Sequence, residues 1–218
     1  MSSTLQISYI NEKALNICFG EGICTEINQK VLSFFSFLKI KNHPEIIDLV
    51  PTYNTLGIYF SENFIGNFES TILHLHSEFI ENGLTEKNNE EELFEILVSY
   101  IGVDLENVAK FCNLDVSDVI KIHSEPIYTV AMIGFLPGFP YLMGLDSRLF
   151  IPRKNTPELN VKKGSVAIGG IQTGIYPQDS PGGWHIIGTT EQELFFPDSP
   201  QKSYLKPGDK IRFIPIKI

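Results

Sequence analysis

The chain has 218 residues, 43% of them hydrophobic, and a formal net charge of −9, which allows one large core or two modest ones. Its acidity, with no cluster of Lys and Arg, argues against a nucleic-acid binder, because phosphates need concentrated positive charge. No stretch approaches the ~20 apolar residues of a membrane span, and MSSTLQISYINEK carries neither a basic nor an apolar leader region, so a cytoplasmic protein away from the membrane is expected.

The first hundred residues hold 5 Lys/Arg against 14 Asp/Glu and the remainder 12 of each, whereas Gly and Pro number 7 before residue 101 and 23 after it. The halves are therefore expected to be different kinds of structure. In chain order, Leu5–Ser8 and Ala14–Phe19 predict short strands. Ile27, Val31, Phe34, Phe35 and Leu38 then form one apolar helical face. Ile46–Val50 and Leu56–Phe60 predict the strands that this face covers. A second amphipathic helix follows from Ile65, Phe68, Ile72, Leu75 and Phe79, with Gly83 as its stop. The polar run from Glu81 to Glu92 reads as a linker, dividing residues 1–88 from residues 89–218.

Phe94–Tyr100 predicts a strand opening the second domain. Residues 104–124 predict two short helices joined near Asn113–Asp115, spaced like a helix-turn-helix. Asp115, Asp118 and Glu125 beside Lys121 and His123 make a poor surface for phosphates, so the pair is expected to plug a barrel end. From Tyr128 onward the runs YTVAMIGF, SVAIGG, WHIIG, ELFF and KIRFIPIKI alternate with Gly/Pro turns, which predicts an all-β barrel or sandwich.

Cys18, Cys24 and Cys112 form no CxxC and are expected to be reduced thiols. His74 and His76, two apart on a helix, diverge, so no metal site is expected. No P-loop, GxSxG or HExxH occurs. Chemistry concentrates in GFLPGFPYL, GSVAIGGIQTGIYP and SPGGWHIIGTT. Their glycines either let a ligand approach the backbone or merely bend strands. Gln172, Thr173, Tyr176, His185 and Thr189 add an amide, hydroxyls and an imidazole; His185 is equally readable as a satisfied structural group. Arg153 could grip a carboxylate or phosphate, while Lys154 reads as a surface residue.

The strings GFLPGFPYLMGLD, TPELNVKKGSVAIGGIQTGIYPQDSPGGWHIIGTT and KPGDKIRFIP, together with EIIDLVPTYNTLGIYF and KIHSEPIYTVAMIGF, resemble the KipI family. That family includes allophanate hydrolase subunit 1 and other carboxyltransferase-type proteins of subdomains C and D, and the resemblance spans nearly the whole chain. It implies an α+β protein: an N-terminal α/β sandwich of two helices on a small mixed or antiparallel sheet, then a cyclophilin-like β-barrel. It further implies one component, inactive alone, of an ATP-dependent 5-oxoprolinase that cleaves 5-oxo-L-proline to L-glutamate. The implied partners are a KipA-like barrel protein and a LamB/YcsF-like protein, the other two components of that enzyme. A histidine-kinase inhibitor, a prolyl isomerase and an allophanate or urea carboxyl-transfer subunit stand as alternatives, and the chain shows no biotin-attachment segment.

The family's loop motifs fall on Phe135, Pro137, Gly138, Tyr141, Arg153, Gly169, Gly170, Gln172, Thr173, Tyr176, Gly182, Gly183, Trp184 and His185. On this mapping Arg153 holds an anionic group, Gln172 and Tyr176 orient the substrate amide, and His185 acts as donor or proton relay. The chain departs from the family in a shortened loop after Tyr100 and in Thr189, which removes a basic residue from beside the expected cleft.

Overall fold

The computed structural model describes residues 5–82 and 93–216. Contacts divide the chain into two compact units, Met1–Glu90 and Glu91–Ile218. The first two residues of the expected Glu81–Glu92 linker belong to the helix that ends at Asn82; the rest of it, the Gly83 helix stop and the boundary at residue 88 lie outside the described residues.

In the first unit β1 (Gln6–Asn11), β2 (Ala14–Cys18), β3 (Ile46–Pro51) and β4 (Thr55–Phe60) form an antiparallel sheet in the order β1-β2-β4-β3. Helix α1 (Thr25–Lys41) buries Val31, Phe34, Phe35 and Leu38, four of its five predicted face residues. Asn42 ends it in the left-handed region at φ 47°, where its N–H bonds to the Leu38 carbonyl. Helix α2 (Phe68–Asn82) buries Ile72 and Leu75 in the same core as Leu15, Ile17, Leu56 and Ile58. The predicted helix face began one turn too early: Ile65 is 98% exposed. Asn67 Oδ1 accepts the Ser70 N–H, so the helix starts after Ile65, and Phe64 packs on Phe60 and Phe68 instead.

The second unit is a nearly closed mixed β-barrel with two helices. Its strands are β5 (Leu93–Val98), β6 (Tyr128–Ile133), β7 (Pro140–Met143), β8 (Glu158–Val161), β9 (Ser165–Gly169), β10 (Gln172–Ile175), β11 (Ser180–Gly182), β12 (His185–Thr189) and β13 (Lys210–Pro215). Seven of them run in the order β12-β9-β10-β7-β6-β13-β5, with β13 and β5 parallel and the other pairs antiparallel; β8 and β11 pair separately. Ser99 and Thr189, just past β5 and at the end of β12, exchange two backbone hydrogen bonds of 2.9 and 2.8 Å that join the two edges. Thr189 therefore serves this seam and does not line the expected cleft.

Between β5 and β6 run α3 (Leu105–Cys112) and α4 (Val116–Ser124), and Leu105, Val108, Ala109, Val119 and Ile122 join the barrel's inner core. His123, read from sequence as an exposed helix residue, is fully buried. The predicted ELFF strand is absent: Leu194 is buried, but Phe195 makes only an isolated bridge to Ser203. Pro197 and Pro200 follow closely and cannot donate to a ladder.

Candidate functional site

Strand alternation assigns the two faces of the barrel sheet. On β9 and β10, Val166, Ile168 and Ile175 point into the inner core, while Ala167 and Tyr176 belong to a second cluster with Phe139, Val161, Trp184 and Ile186. Gln172 and Gly174 share that outer face by register, and Thr173 faces inward. An aromatic cap thus covers the outside of the sheet. Phe139, only 1% exposed, is its hub, with ring centroids 4.9 Å from Tyr141, 5.1 Å from Tyr176 and 5.6 Å from Trp184.

A cavity of about 270 Å3 opens in this cap. Phe139, Tyr141, Tyr176 and Trp184 form its aromatic walls, Pro157, Pro181, Gly182 and Gly183 its rim, and Phe135 and Arg153 stand at its mouth. Gly182 must lack a side chain, since a Cβ would collide with the Tyr176 hydroxyl, and one at Gly169 would collide with the Trp184 indole. Phe135 sits at φ 67° between Gly134 and Leu136, whose O and N–H bond at 2.8 Å. This is a γ-turn of the rare positive-φ kind, a strained conformation for a side-chain-bearing residue. It holds a 60% exposed ring edge-on to Phe139 and Tyr176.

The electrostatics favour an anion. The Arg153 guanidinium carbon lies 5.6 Å from the Trp184 ring centre, a cation–π distance. Among the described residues no carboxylate lies within ion-pair distance of it. Burial raises the Tyr141 and Tyr176 hydroxyl pKa values, against the opposing pull of Arg153 and, for Tyr176, of a hydrogen bond from the Trp184 backbone. Both phenols therefore stay protonated.

The cavity brings together Arg153, Tyr176, Phe135, Tyr141, Gly182, Gly183 and Trp184 of the predicted set. The other seven lie elsewhere. Thr173 is wholly buried inside the barrel, where its hydroxyl donates to the Ala167 carbonyl at 2.9 Å. Gln172 is 7% exposed on the outer face but does not line the cavity. Gly169 lies beneath Trp184, and Gly170 exchanges backbone hydrogen bonds with Ile151. Pro137 and Gly138 shape the turn before β7, with Gly138 at φ 83° against Leu194. His185 turns its Nε2 to the Pro152 carbonyl at 2.9 Å. Sequence reasoning missed Phe139, Pro157 and Pro181; Phe139 lay within GFLPGFPYL, but nothing in that string separates its buried Phe from its exposed one.

Lys154 is not the expected surface residue. Its side chain is 14% exposed, and its ammonium meets Asp104 Oδ2 at 2.7 Å and Glu158 Oε1 at 3.2 Å. Burial works against its charge, but these bonds outweigh it and raise the pKa.

Inside the barrel, His123 Nδ1 is 2.7 Å from the Tyr100 hydroxyl and Nε2 is 2.8 Å from Thr173 Oγ1. The Thr173 proton goes to Ala167, so Oγ1 accepts from Nε2–H and Nδ1 accepts from Tyr100, which fixes the tautomer. Burial pushes the His123 pKa down to about 3 and raises that of Tyr100.

The first unit has a larger cavity of about 660 Å3, lined by Phe19, Phe79, His76 and mixed polar groups. His76 packs against Phe34 and Phe79, and burial lowers its pKa. The smaller cavity gathers Arg153, Tyr141, Tyr176, Trp184 and the glycines singled out from sequence, so it is the candidate site. No metal-ligand cluster occurs among the described residues.

Residues 5–205 match the family described as carboxyltransferase domain, subdomain C and D. The chain is 34% identical to the B subunit of 5-oxoprolinase from Bacillus subtilis (strain 168), covering 99% of this chain and 95% of that one. It is 41% identical to the B subunit of 5-oxoprolinase from Haemophilus influenzae, covering 81% and 82%. The crystal structure of TTHA0988 superposes with a TM-score of 0.81 at 32% identity; 94% of this chain is matched, and it spans 40% of that longer chain.

Proposed function

Because this chain belongs to the carboxyltransferase family of subdomains C and D, we propose that it works as the B subunit of a 5-oxoprolinase, one component of a multi-subunit hydrolase. The reading takes its substrate from the names of its relatives and its site from the cavity over β10. The carrying observation is the Arg153 guanidinium above Trp184, which meets no carboxylate among the described residues and stands beside two protonated tyrosines.

5-Oxo-L-proline is a five-membered lactam with one carboxylate, small enough for a cavity of about 270 Å3. Arg153 pairs with the carboxylate, and the faces of Trp184 and Phe139 receive the ring carbons. The Tyr176 hydroxyl, with Tyr141 beside it, donates to the lactam carbonyl oxygen, where negative charge builds as the amide is attacked. Phe135 narrows the mouth and excludes water.

A nucleoside triphosphate does not fit these residues. Among the described residues Arg153 alone brings a positive charge to the cavity lining, and the sequence has no phosphate-cradling P-loop. We therefore place ATP, and the step it drives, with the two partner proteins, one KipA-like barrel protein and one LamB/YcsF-like protein. On this reading the chain is inactive alone, its barrel is of the cyclophilin-like type, its domains divide at residue 88 and the complex is cytoplasmic. No helix among the described residues is long and apolar enough to cross a membrane.

The test is reconstitution. Co-expressed with both partners, the chain is expected to support ATP-dependent release of glutamate from 5-oxoproline, and omitting it should abolish that release. Glutamate release undiminished without this chain would refute the assignment.

A further inference from the structure

We propose that Asp104, Lys154 and His185 are positioning residues that fix Arg153 over Trp184; the proposal rests on the reading of this cavity as the 5-oxoproline site. Arg153 stands on an irregular segment, residues 152–157, and its exposed guanidinium has no ion-pair partner among the described residues to hold it. A side chain of this kind is placed by its backbone, and this backbone is held on both sides.

Before Arg153, Ile151 exchanges backbone hydrogen bonds of 3.2 and 2.7 Å with Gly170, and the Pro152 carbonyl meets His185 Nε2 at 2.9 Å. A carbonyl only accepts, so Nε2 carries the proton and spends it on the backbone. After Arg153, the Lys154 N–H bonds to the Gly183 carbonyl at 2.8 Å. The Lys154 ammonium reaches Asp104 Oδ2 at 2.7 Å, and that same oxygen accepts the Ile186 N–H at 2.8 Å. Asp104, 7% exposed, also gives its own N–H to the Ile186 carbonyl at 2.9 Å.

Apart from the Ile151–Gly170 pair, the attachments fall on Gly183, His185 and Ile186, the residues around Trp184. Arg153 and the indole beneath it are tied to one frame, anchored at the start of α3. His185 is a strut in this arrangement and not the proton relay expected from sequence. Preorganisation of this kind matters because displacements of about 1 Å at a binding group cost about 100-fold in rate.

The experiment measures KM and kcat for 5-oxo-L-proline in the reconstituted complex, together with the chain's thermal midpoint. Arg153→Met is the reference and should raise KM about tenfold or more. His185→Ala should raise KM about fivefold with kcat within about twofold, and His185→Gln, whose amide can donate where Nε2 does, should restore it. Lys154→Met alone would leave Asp104 buried and unpaired and could unfold the chain. The double variant Asp104→Asn/Lys154→Met is used instead, with Lys154→Arg as the conservative control; the double variant should raise KM, and Lys154→Arg should keep it low.

Two results overturn the proposal while leaving the site intact. One is a raised KM for Arg153→Met with wild-type KM for both His185→Ala and the double variant. The other is a kcat lost in His185→Gln as deeply as in His185→Ala, the mark of a proton carrier. A wild-type KM for Arg153→Met in an active complex would instead remove the anion site itself, and a wild-type complex without activity would remove the function.

Discussion

The two faces of β10 treat polar groups in opposite ways. Inward, Thr173, His123 and Tyr100 form a closed chain in which every proton has an acceptor, ending on the Ala167 carbonyl. Outward, a few ångströms away across the same sheet, Tyr176 and its neighbours lie beside a cation that meets no carboxylate among the described residues. Both sets are polar groups in apolar surroundings. The satisfied set stabilises a fold, and the set with capacity left over is the one a ligand completes.

The largest expected effect breaks the inner set with acid. The folded pKa of His123, about 3, lies below its ordinary 6.5. The folded chain keeps it neutral while the unfolded chain protonates it, so its contribution is full above pH 6.5 and is lost as pH falls toward 3. The loss approaches about 5 kcal/mol at the low end. Denaturant titrations from pH 7 to pH 4.5 should show a steeper fall for the wild type than for His123→Gln; parallel curves would contradict the buried neutral imidazole.

A cut inside the chain is smaller. Thr173→Val leaves the His123 Nε2–H without an acceptor and should cost about 1–3 kcal/mol in urea melts. On the outer face, Gly182→Ala drives a methyl into the Tyr176 hydroxyl and should cost about 1–3 kcal/mol by overpacking. It should also raise the 5-oxoproline KM, because Tyr176 must move; an unchanged KM with a lowered melting point would detach Tyr176 from the ligand. The smallest effect has the opposite sign for stability. Phe135→Gly releases a strained γ-turn and should stabilise the chain by up to about 1 kcal/mol while weakening substrate binding. A destabilised Phe135→Gly chain would mean that ring packing outweighs the strain.

Sequence reading recovered α1 through Val31, Phe34, Phe35 and Leu38, because helical periodicity survives without knowledge of the partner. It missed β10, since Gln172-Thr-Gly-Ile175 lacks an apolar run. Two of its four residues, Gln172 and Gly174, face an aromatic cap whose bulk comes from Phe139 and Trp184, 33 residues before and 12 residues after Gln172. The glycine-rich segments point to the right region but do not say which residue faces which way, so the inward-facing Thr173 is grouped with the outward-facing Tyr176. Nor could spacing reveal that His185 would bond to Pro152, or that Lys154 would find Asp104 50 residues upstream: such contacts exist only once the sheet is closed. Phe135 was placed by its family motif, but its strained backbone was visible only in the fold.

The most direct test of the two-face account measures Arg153→Met and Thr173→Val side by side for 5-oxoproline KM in the reconstituted complex and for thermal midpoint. Arg153→Met is expected to raise KM about tenfold or more with its midpoint within about 2 °C of wild type. Thr173→Val is expected to lower the midpoint by several degrees while holding KM within about twofold. A Thr173→Val chain that loses substrate affinity at full stability, or an Arg153→Met chain that melts early with its KM intact, would contradict it.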